Sequence, residues 1–230
     1  MVAEDSVPVL LEYALPLFCH RNALTRIAED AEQWIGMNKP IRDSFFQELK
    51  DAQGSETLKL VNGAPIGYIR EVKEDGSDVF IGNISIVRCA HGELMNTDNV
   101  DWERAAQNKA DNEKIELGDP NIIWSIGGEF VVILVALKDS RTADYLAPSH
   151  HGQGIMTDAI DTLLHDWAVP RMGVRRVLTG AFVGNMGSVK VFEKNGFKMV
   201  RTVAKHSVVR GKQVGMHVFH WSFDQGSIDF

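Results

Sequence analysis

The sequence predicts a mixed α+β fold in which helices flank a central sheet within a single domain. The chain has 230 residues, 44% of them hydrophobic and 24% charged, which suits one domain with a substantial core. Strand-like apolar runs alternate with segments whose apolar residues recur at helical spacing. The sequence contains no internal repeat and no low-complexity tract, so it does not indicate a repeat or fibrous architecture. We therefore predict one domain over residues 1–230.

The first part of the chain is predicted to combine helices and sheet strands. Apolar residues at helical spacing predict a helix over 22–36, and Pro40 begins a second one through about Lys50. Strands are predicted at 8–15, 57–61, 65–72 and 79–88. The sequence EDGSD, between the last two, is typical of a hairpin turn.

The remaining elements follow a polar stretch at residues 89–120. This stretch is predicted to be a long loop or lid, with at most a short helix around Trp102–Ala110. Strands are then predicted at 121–126, 129–137 and 174–183, helices at 156–169 and 185–196, and two antiparallel strands close the chain.

Composition narrows the function classes. The formal net charge of −7 argues against a nucleic-acid partner and weakly favours cationic or neutral substrates. Cys19 and Cys89 are too few for a disulfide framework and suit a reducing compartment. The apolar run 7–18 is interrupted by Glu12 and is too short to span a bilayer. We expect a cytoplasmic protein, with a nuclear location not excluded, that has no membrane partner; the oligomeric state stays open.

Two glycines before a predicted helix form a candidate phosphate-binding turn. Gly152 and Gly154 permit positive φ and close approach, and the first N–H groups of the helix would point at an anion. A tight strand-to-helix turn is the structural alternative for such a short pair. No Gly-Lys-Ser/Thr sequence and no ribose-binding carboxylate accompany it, so neither a P-loop nor a dinucleotide fingerprint is supported.

A second segment strengthens the functional interpretation. Asn185, Ser188 and Phe192 are spaced i, i+3 and i+7, so they share one helix face near its start. Asn185 is also a plausible N-cap, which would explain it structurally.

Together, YLAPSHHGQGIMTDAI and NMGSVKVFEKNGF resemble the GCN5-related N-acetyltransferase (GNAT) superfamily. The closest resemblance is to the branch of ribosomal-protein alanine and serine N-acetyltransferases, and it covers roughly residues 120–225. It implies the GNAT fold, acetyl-CoA as co-substrate and no metal. It also implies cofactor contacts at Leu146, Ala147, His151, Gly152, Gln153, Gly154, Ile155, Met156, Asn185, Ser188 and Phe192.

The chain departs from the family pattern at three places. His151 stands where family members usually have Gln or Arg, and Met156 stands where they have Gly or Ala. Backbone contacts with a phosphate do not depend on these side chains, whereas a side-chain contact by the first residue of the loop, His151, does. Many relatives have a general-acid Tyr where this chain has Phe192, which has no proton to donate. The candidate catalytic residues are Asn185 and Ser188. The resemblance implies that Asn185 would hydrogen-bond the pantetheine arm. Ser188, itself or through a water, is the candidate general acid that protonates the departing thiolate.

The general base is not singled out by the sequence. Candidates are Glu129, Asp144, His150 and residues of the 89–120 segment. His150 and His151 are adjacent, so their side chains point apart, and they are better explained as neutral turn residues than as a base pair or metal site.

The resemblance implies transfer of an acetyl group to a primary amine, of a small molecule or of a protein N-terminus, by direct attack on the thioester. A catalytically silent CoA-binding or interaction module is the alternative, favoured by Phe192. A nucleotide-binding protein unrelated to CoA lacks its expected Lys or ribose carboxylate.

One segment interrupts the family's strand. Ile126–Gly127 and residues 144–148 each match half of it, and residues 128–143 lie between them. We hypothesise an insertion, for example a retained intron, because Gly-Glu-Phe can be encoded by codons that contain the splice-donor sequence GTGAGT. The alternative is a native strand at Phe130–Leu137 followed by a turn at Lys138–Ala143. If the insertion is real, cofactor binding in this form is impaired.

The intron hypothesis predicts a shorter message. We expect sequencing of the mature transcript to show a dominant form that lacks 48 nucleotides (16 × 3) encoding residues 128–143. A mature message that retains these codons as its dominant form would contradict the hypothesis.

Overall fold

The computed structural model describes residues 60–64, 68–96, 98–127, 145–209 and 211–223, together with Gln47. The elements predicted at 8–15, 22–36, 40–50 and 129–137 lie outside the described residues, Gln47 apart, as does most of that at 57–61. Contacts group the chain into two compact units. The first holds Met1–Leu58 and Arg70–Phe80, and the second holds Lys59–Ile69 and Ile81–Phe230.

Strands and helices are mixed along the described chain, as the sequence predicts. In chain order they are β1 (Tyr68–Val72), β2 (Asp78–Asn83), β3 (Ile86–Arg88), α1 (Ala105–Lys114), β4 (Ile123–Ile126), β5 (Tyr145–Leu146), α2 (Ile155–Thr162), α3 (Val169–Met172), β6 (Arg176–Phe182), α4 (Met186–Lys194), β7 (Lys198–Val209) and β8 (Lys212–Ser222). Between β1 and β2, Lys73 N–H donates to the Ser77 carbonyl at 2.7 Å, which confirms the predicted hairpin turn.

The larger sheet has five strands in the order β3-β4-β6-β8-β7. β4 and β6 are parallel, and the other neighbours are antiparallel. The other sheet has the order β1-β2-β5, with Gly82 opposite Leu146 and Asn83 opposite Tyr145. Large apolar side chains, almost fully shielded from solvent, form the core of the five-stranded sheet, among them Trp124, Val177, Val218 and Phe219.

β4 and β6 separate towards their carboxyl ends. Their backbone ladder ends at the pair Trp124–Val177. Two residues further on, the Thr179 hydroxyl donates to the Ile126 carbonyl at 2.8 Å, so a side chain spans a gap that backbone groups no longer close. β6 stays paired with β8 on its other side throughout. Ligands of open α/β sheets bind at such a crevice beyond the carboxyl ends of strands.

The helix that follows β5 continues well beyond α2. A π-helical turn at Leu163–Ala168 joins α2 to α3. This wider turn comes just before Pro170, which has no N–H to donate and whose ring would collide with the carbonyl four residues earlier. The run ends at Gly173, whose φ of 68° is the left-handed conformation typical of a helix C-terminus.

The polar segment 89–120 contains a helix that overlaps the short one predicted around Trp102–Ala110, but it is held to the sheet, unlike a free loop or lid. It contains the helix α1 and a short 3₁₀ turn at Gly92–Leu94. Asn112 in α1 is only 4% exposed, and its Nδ2 donates to the carbonyls of Cys89 (3.2 Å) and Ile123 (2.8 Å). Its Oδ1 accepts from the Ile123 N–H at 2.9 Å. The segment is therefore fastened to the edge of the sheet, because one buried amide satisfies three backbone groups.

Asn112 provides a stability test of this attachment. We expect Asn112→Ala to lower the free energy of unfolding by about 1–3 kcal/mol, because the Ile123 N–H and the carbonyls of Cys89 and Ile123 each lose a hydrogen bond. Urea denaturation followed by tryptophan fluorescence measures the change. The exposed Asn121, whose Nδ2 donates to Asp119 Oδ1 at 2.9 Å, is the matched control, and we expect Asn121→Ala to change stability by less than about 1 kcal/mol. Equal effects of both variants would contradict the anchoring role.

Candidate functional site

The candidate site is built where two helices start at the ends of two strands. β5 leads through a 3₁₀ turn at Pro148–His150 and the glycine turn into α2, and β6 leads into α4. α2 and α4 contact each other. The two motif segments, separated in the sequence, are therefore neighbours in the structure.

The glycine turn has the backbone conformation that the sequence predicts. Gly152 and Gly154 have φ values of 75° and 85°, the left-handed region that favours glycine. Among the described residues, no atom beyond the adjacent residues lies within 4 Å of the place where a Cβ would stand at either glycine, so this backbone faces open space there. A ligand can therefore approach the N–H groups of the turn directly.

The start of α2 has no cap of its own. Gly154 is the N-cap residue and, having no side chain, makes no side-chain cap to the first turn. The first N–H groups of a helix have no acceptor within the helix, and together with the helix dipole they favour an anion. An uncapped helix start with two open glycines suits a phosphate group.

The side chains of the turn bond to the turn itself. His151 Nε2 lies 2.7 Å from the Leu146 carbonyl, and Gln153 Nε2 donates to the Ser149 carbonyl at 3.0 Å. Both bonds bring the turn back towards β5. The contact of the turn with a phosphate, through its backbone or through His151, stays a prediction.

Asn185 and Ser188 are brought together at the start of α4. Asn185 is the N-cap residue, and its Oδ1 accepts from the Ser188 N–H at 3.2 Å. The structural alternative considered for Asn185 is therefore present in the fold. Asn185 is exposed and Ser188 half-buried, so both side chains are within reach of solvent at this helix start.

Phe192 packs in the core. Its ring is 6% exposed, and its centroid lies 5.3 Å from that of Phe197 and 5.4 Å from that of Phe219. This aromatic packing gives Phe192 a structural role. The cofactor contact that the resemblance implies for it stays a prediction.

The remaining predicted contact residues line the turn and its flanks. Leu146 is half-buried and Ala147 buried at the end of β5, while Ile155 and Met156 are half-buried in the first turn of α2. Ala147 N–H donates to the Ile81 carbonyl at 2.7 Å, which holds the end of this strand to β2.

Thr179 is a site residue that sequence reasoning missed. Its hydroxyl supports the Ile126 carbonyl at the point where β4 and β6 diverge. The available signal was a buried hydroxyl within an otherwise apolar strand, and its partner lies 53 positions away in the chain.

Several candidate bases have structural roles, and two fall outside the described residues. Glu129 and Asp144 are the two outside. His150 Nδ1 lies 2.9 Å from Ser149 Oγ, and Asp101 caps the Arg104 N–H at 3.0 Å.

Glu93 is the acidic residue of the 89–120 segment with the most altered ionisation. Burial raises its pKa, but the imidazoles of His206 (Nε2 at 3.5 Å) and His91 (Nδ1 at 3.7 Å) outweigh burial and hold the pKa well below its usual range. A carboxylate with so low a pKa is a weak base for an ammonium group, so Glu93 is a poor general base.

A cavity of about 330 Å³ opens beside α1, lined by residues that include Asp101, Arg104 and Ile123. It lies at the amino end of β4, whereas the glycine turn follows β5. Within the described ranges no cluster of three His, Cys, Asp or Glu side chains could hold a metal ion. No helix in those ranges is both long and apolar enough to cross a membrane.

Comparison with protein families identifies the two motif segments. Residues 136–198 match the family model of the Acetyltransferase (GNAT) domain, which confirms the resemblance. Over 82 residues the chain is 33% identical to the probable N-acetyltransferase YjcK of Bacillus subtilis (strain 168). That segment is 36% of this chain and 45% of YjcK, so the chain matches less than half of that relative's length.

Solved structures are similar in fold. The microcin C7 self-immunity acetyltransferase MccE, in complex with acetyl-CoA and AMP, has a TM-score of 0.50 and 13% identity, over 96% of this chain and 86% of MccE. This likeness confirms the predicted fold class. The ribosomal-protein-S5-alanine acetyltransferase from Vibrio fischeri has a TM-score of 0.40 and 15% identity, over 64% of this chain and 57% of that one.

The glycine turn gives a binding test. We expect Gly154→Pro to abolish acetyl-CoA binding, because proline removes a backbone donor and its φ of about −65° is incompatible with the 85° found here. Isothermal titration calorimetry measures the loss. Gly211→Pro is the control, since Gly211 has a φ of 73° and open space in the turn between β7 and β8. Binding that survives Gly154→Pro, or is lost in both variants, would contradict the assignment.

Proposed function

We propose that this chain, which carries a GNAT acetyltransferase domain match at residues 136–198, is an N-acetyltransferase that moves the acetyl group of acetyl-CoA to a primary amine. The observation that carries the proposal is the uncapped start of α2 behind two open, left-handed glycines. The relatives named above are acetyltransferases by their names, and MccE was solved with acetyl-CoA bound. We further propose that the whole chain is one such domain.

The cofactor would enter between the diverging strands β4 and β6. Its pyrophosphate would accept hydrogen bonds from the backbone of Gly152, Gly154 and the first residues of α2. Leu146 and Ala147 would flank the pantetheine arm, and the Asn185 amide would donate to one of its carbonyls. The Asn185 Oδ1 is already bonded to Ser188 N–H, so the Nδ2 group is the part of this side chain suited to a ligand.

The reaction is a direct transfer. A neutral amine nitrogen attacks the thioester carbonyl carbon, the C–N bond forms, and the C–S bond breaks to release the CoA thiolate. The amine loses a proton to a base or to water, and the thiolate gains one. Backbone N–H groups polarise the carbonyl as its oxygen becomes negative. Ser188, itself or through a water, is our candidate donor to the thiolate.

For the acceptor of the acetyl group, we propose only a chemical class, the primary amines. An acidic protein attracts cationic amines, and the net charge of −7 therefore favours them slightly. A small-molecule amine and a protein N-terminus both carry the required primary amine.

A silent CoA-binding module is the second candidate function. Phe192 stands where many relatives have a proton-donating Tyr, and its ring is packed in the core. A module of this kind would bind acetyl-CoA and release no thiol.

Binding and turnover separate these candidates. We expect acetyl-CoA at a hundredfold excess over its Kd to stabilise the protein by about 2.7 kcal/mol, seen as a rise in Tm, and ATP to do so much less. We then expect thiol release from acetyl-CoA in the presence of a panel of primary amines. Stabilisation without release by any amine would support the silent module, and no stabilisation would contradict both candidates.

Two variants assign the roles at the start of α4. Ser188→Ala keeps the backbone N–H that Asn185 caps, so we expect an intact α4, a small loss of acetyl-CoA affinity and a kcat about 100-fold lower. Asn185→Ser keeps a capping oxygen but loses the amide donor, so we expect near-normal stability with weaker acetyl-CoA binding. An Asn185→Ser variant that binds normally would leave Asn185 with its capping role alone.

A further inference from the structure

One extended stretch of chain, Ile81–Cys89, supports both β4 and β5. Its later residues pair with β4, with Ile86 opposite Ile126. Its earlier residues pair with β5, with Asn83 opposite Tyr145. Both pairings are antiparallel, so β4 and β5 run in the same direction along the same neighbour.

The registers of the two pairings differ by sixteen residues. The Gly127 N–H donates to the Ser85 carbonyl, so these two residues are opposite each other. The next described pair is Asn83 with Tyr145. Between these two pairs, the stretch Ile81–Cys89 advances by two residues (85 − 83). The chain opposite it advances by eighteen (145 − 127), which is a surplus of 16. Between the two pairs, the stretch Ile81–Cys89 has one residue, Ile84, which can face one residue of the opposite chain. The opposite chain has seventeen residues there, 128–144.

The hydrogen-bond phase continues across the gap. In an antiparallel ladder, bonded pairs alternate with non-bonded pairs, so bonded positions are an even number of residues apart. Three bonds mark the phase: Cys89 N to Ile123 O (2.9 Å), Gly127 N to Ser85 O (3.2 Å) and Ala147 N to Ile81 O (2.7 Å). From bond to bond, the stretch Ile81–Cys89 advances by four residues and then by four again. The chain opposite it advances by four residues and then by twenty, again a surplus of 16.

The carbonyls next to the gap also keep one orientation. Ile126 and Leu146 both occupy non-bonded positions, so their carbonyls point away from the stretch Ile81–Cys89. The Ile126 carbonyl accepts from Thr179 Oγ1, and the Leu146 carbonyl lies 2.7 Å from His151 Nε2. β4 and β5 therefore behave as two parts of one strand.

We propose that sixteen of residues 128–144 are an insertion within a single strand, and that the chain without residues 128–143 is the form with a complete cofactor site. A native connection between two strands would not need to resume the same ladder at the next position and in the same phase. Rejoining the parts gives one strand of nine residues, five from Ile123–Gly127 and four from Asp144–Ala147. The part of the proposal that concerns acetyl-CoA rests on the proposed function, and the part that concerns the strand does not.

The consequence concerns how the glycine turn is held. β5 has only two residues, yet it leads directly to the turn. In the rejoined strand, the ladder from Ile123 would continue unbroken to Ala147. Loss of the long intervening segment also removes the entropic cost of closing it within a ladder.

A series of deletions around sixteen residues tests the proposal in otherwise complete chains. Deletion of 128–143 leaves Asp144 opposite Ile84, and deletion of 129–144 leaves Gly128 there, so both keep the register. Deletion of 128–142 and deletion of 128–144 remove fifteen and seventeen residues and place every later side chain on the wrong face or force a bulge. Differential scanning fluorimetry gives Tm, and calorimetry gives the Kd for acetyl-CoA.

We expect both sixteen-residue deletions to raise Tm above that of the full chain, by about 4 °C or more for a domain of this size. We expect the fifteen- and seventeen-residue deletions to lower it. We also expect acetyl-CoA to bind the sixteen-residue deletions about tenfold more tightly than the full chain, because the turn is better preorganised.

The outcomes distinguish the two proposals. A full chain at least as stable as both sixteen-residue deletions, or deletions of fifteen and seventeen that perform equally well, overturns the insertion. A stabilised sixteen-residue deletion that shows no acetyl-CoA binding supports the insertion and contradicts the proposed function instead.

Discussion

The backbone ladder along Ile81–Cys89 is the constraint on which the candidate site depends. It holds β4 against the core and β5 at the entry to the glycine turn. β4 is in turn the partner from which β6 diverges beyond Trp124 and Val177. A sheet positions a ligand through such registers, because a shift by one residue would move every side chain to the opposite face. The crevice and the start of α2 therefore share one support.

The two helices at the crevice begin in different ways. This difference distinguishes a helix start suited to binding a ligand from one that is stabilised by its own side chain. α4 begins with Asn185, whose side chain satisfies one of its N–H groups. α2 begins with Gly154 and has no side-chain cap. A helix start that lacks a cap and faces open space is less stable by itself, and an anion can supply the missing acceptor. The N-cap residue of α2 thus supplies no side-chain acceptor at the place where the proposed function needs backbone donors.

The sequence predicted the features that depend on local residues. Helical periodicity after the glycines and strand character at 174–183 were confirmed by α2 and β6, and the positive φ of Gly152 and Gly154 follows from residue type. Features set by distant partners were not predictable. The burial of Phe192 depends on Phe219 in β8, and the anchoring of α1 depends on the contact of Asn112 with Ile123. Composition showed only that residues 89–120 are polar, and a polar segment can still be fastened by one buried amide.

The same distinction explains how a family motif can look intact beside a divided strand. The glycine turn needs suitable φ values at a few consecutive residues, so a distant insertion leaves its sequence pattern unchanged. Its position depends on the register of Tyr145–Leu146, which the pattern does not encode. A surplus of sixteen residues is even, so the ladder resumes with the Leu146 carbonyl turned in the same direction as the Ile126 carbonyl. An odd surplus would have turned Leu146 the other way, towards β2. The even surplus therefore accounts for the hydrogen-bond phase that β5 shares with β4.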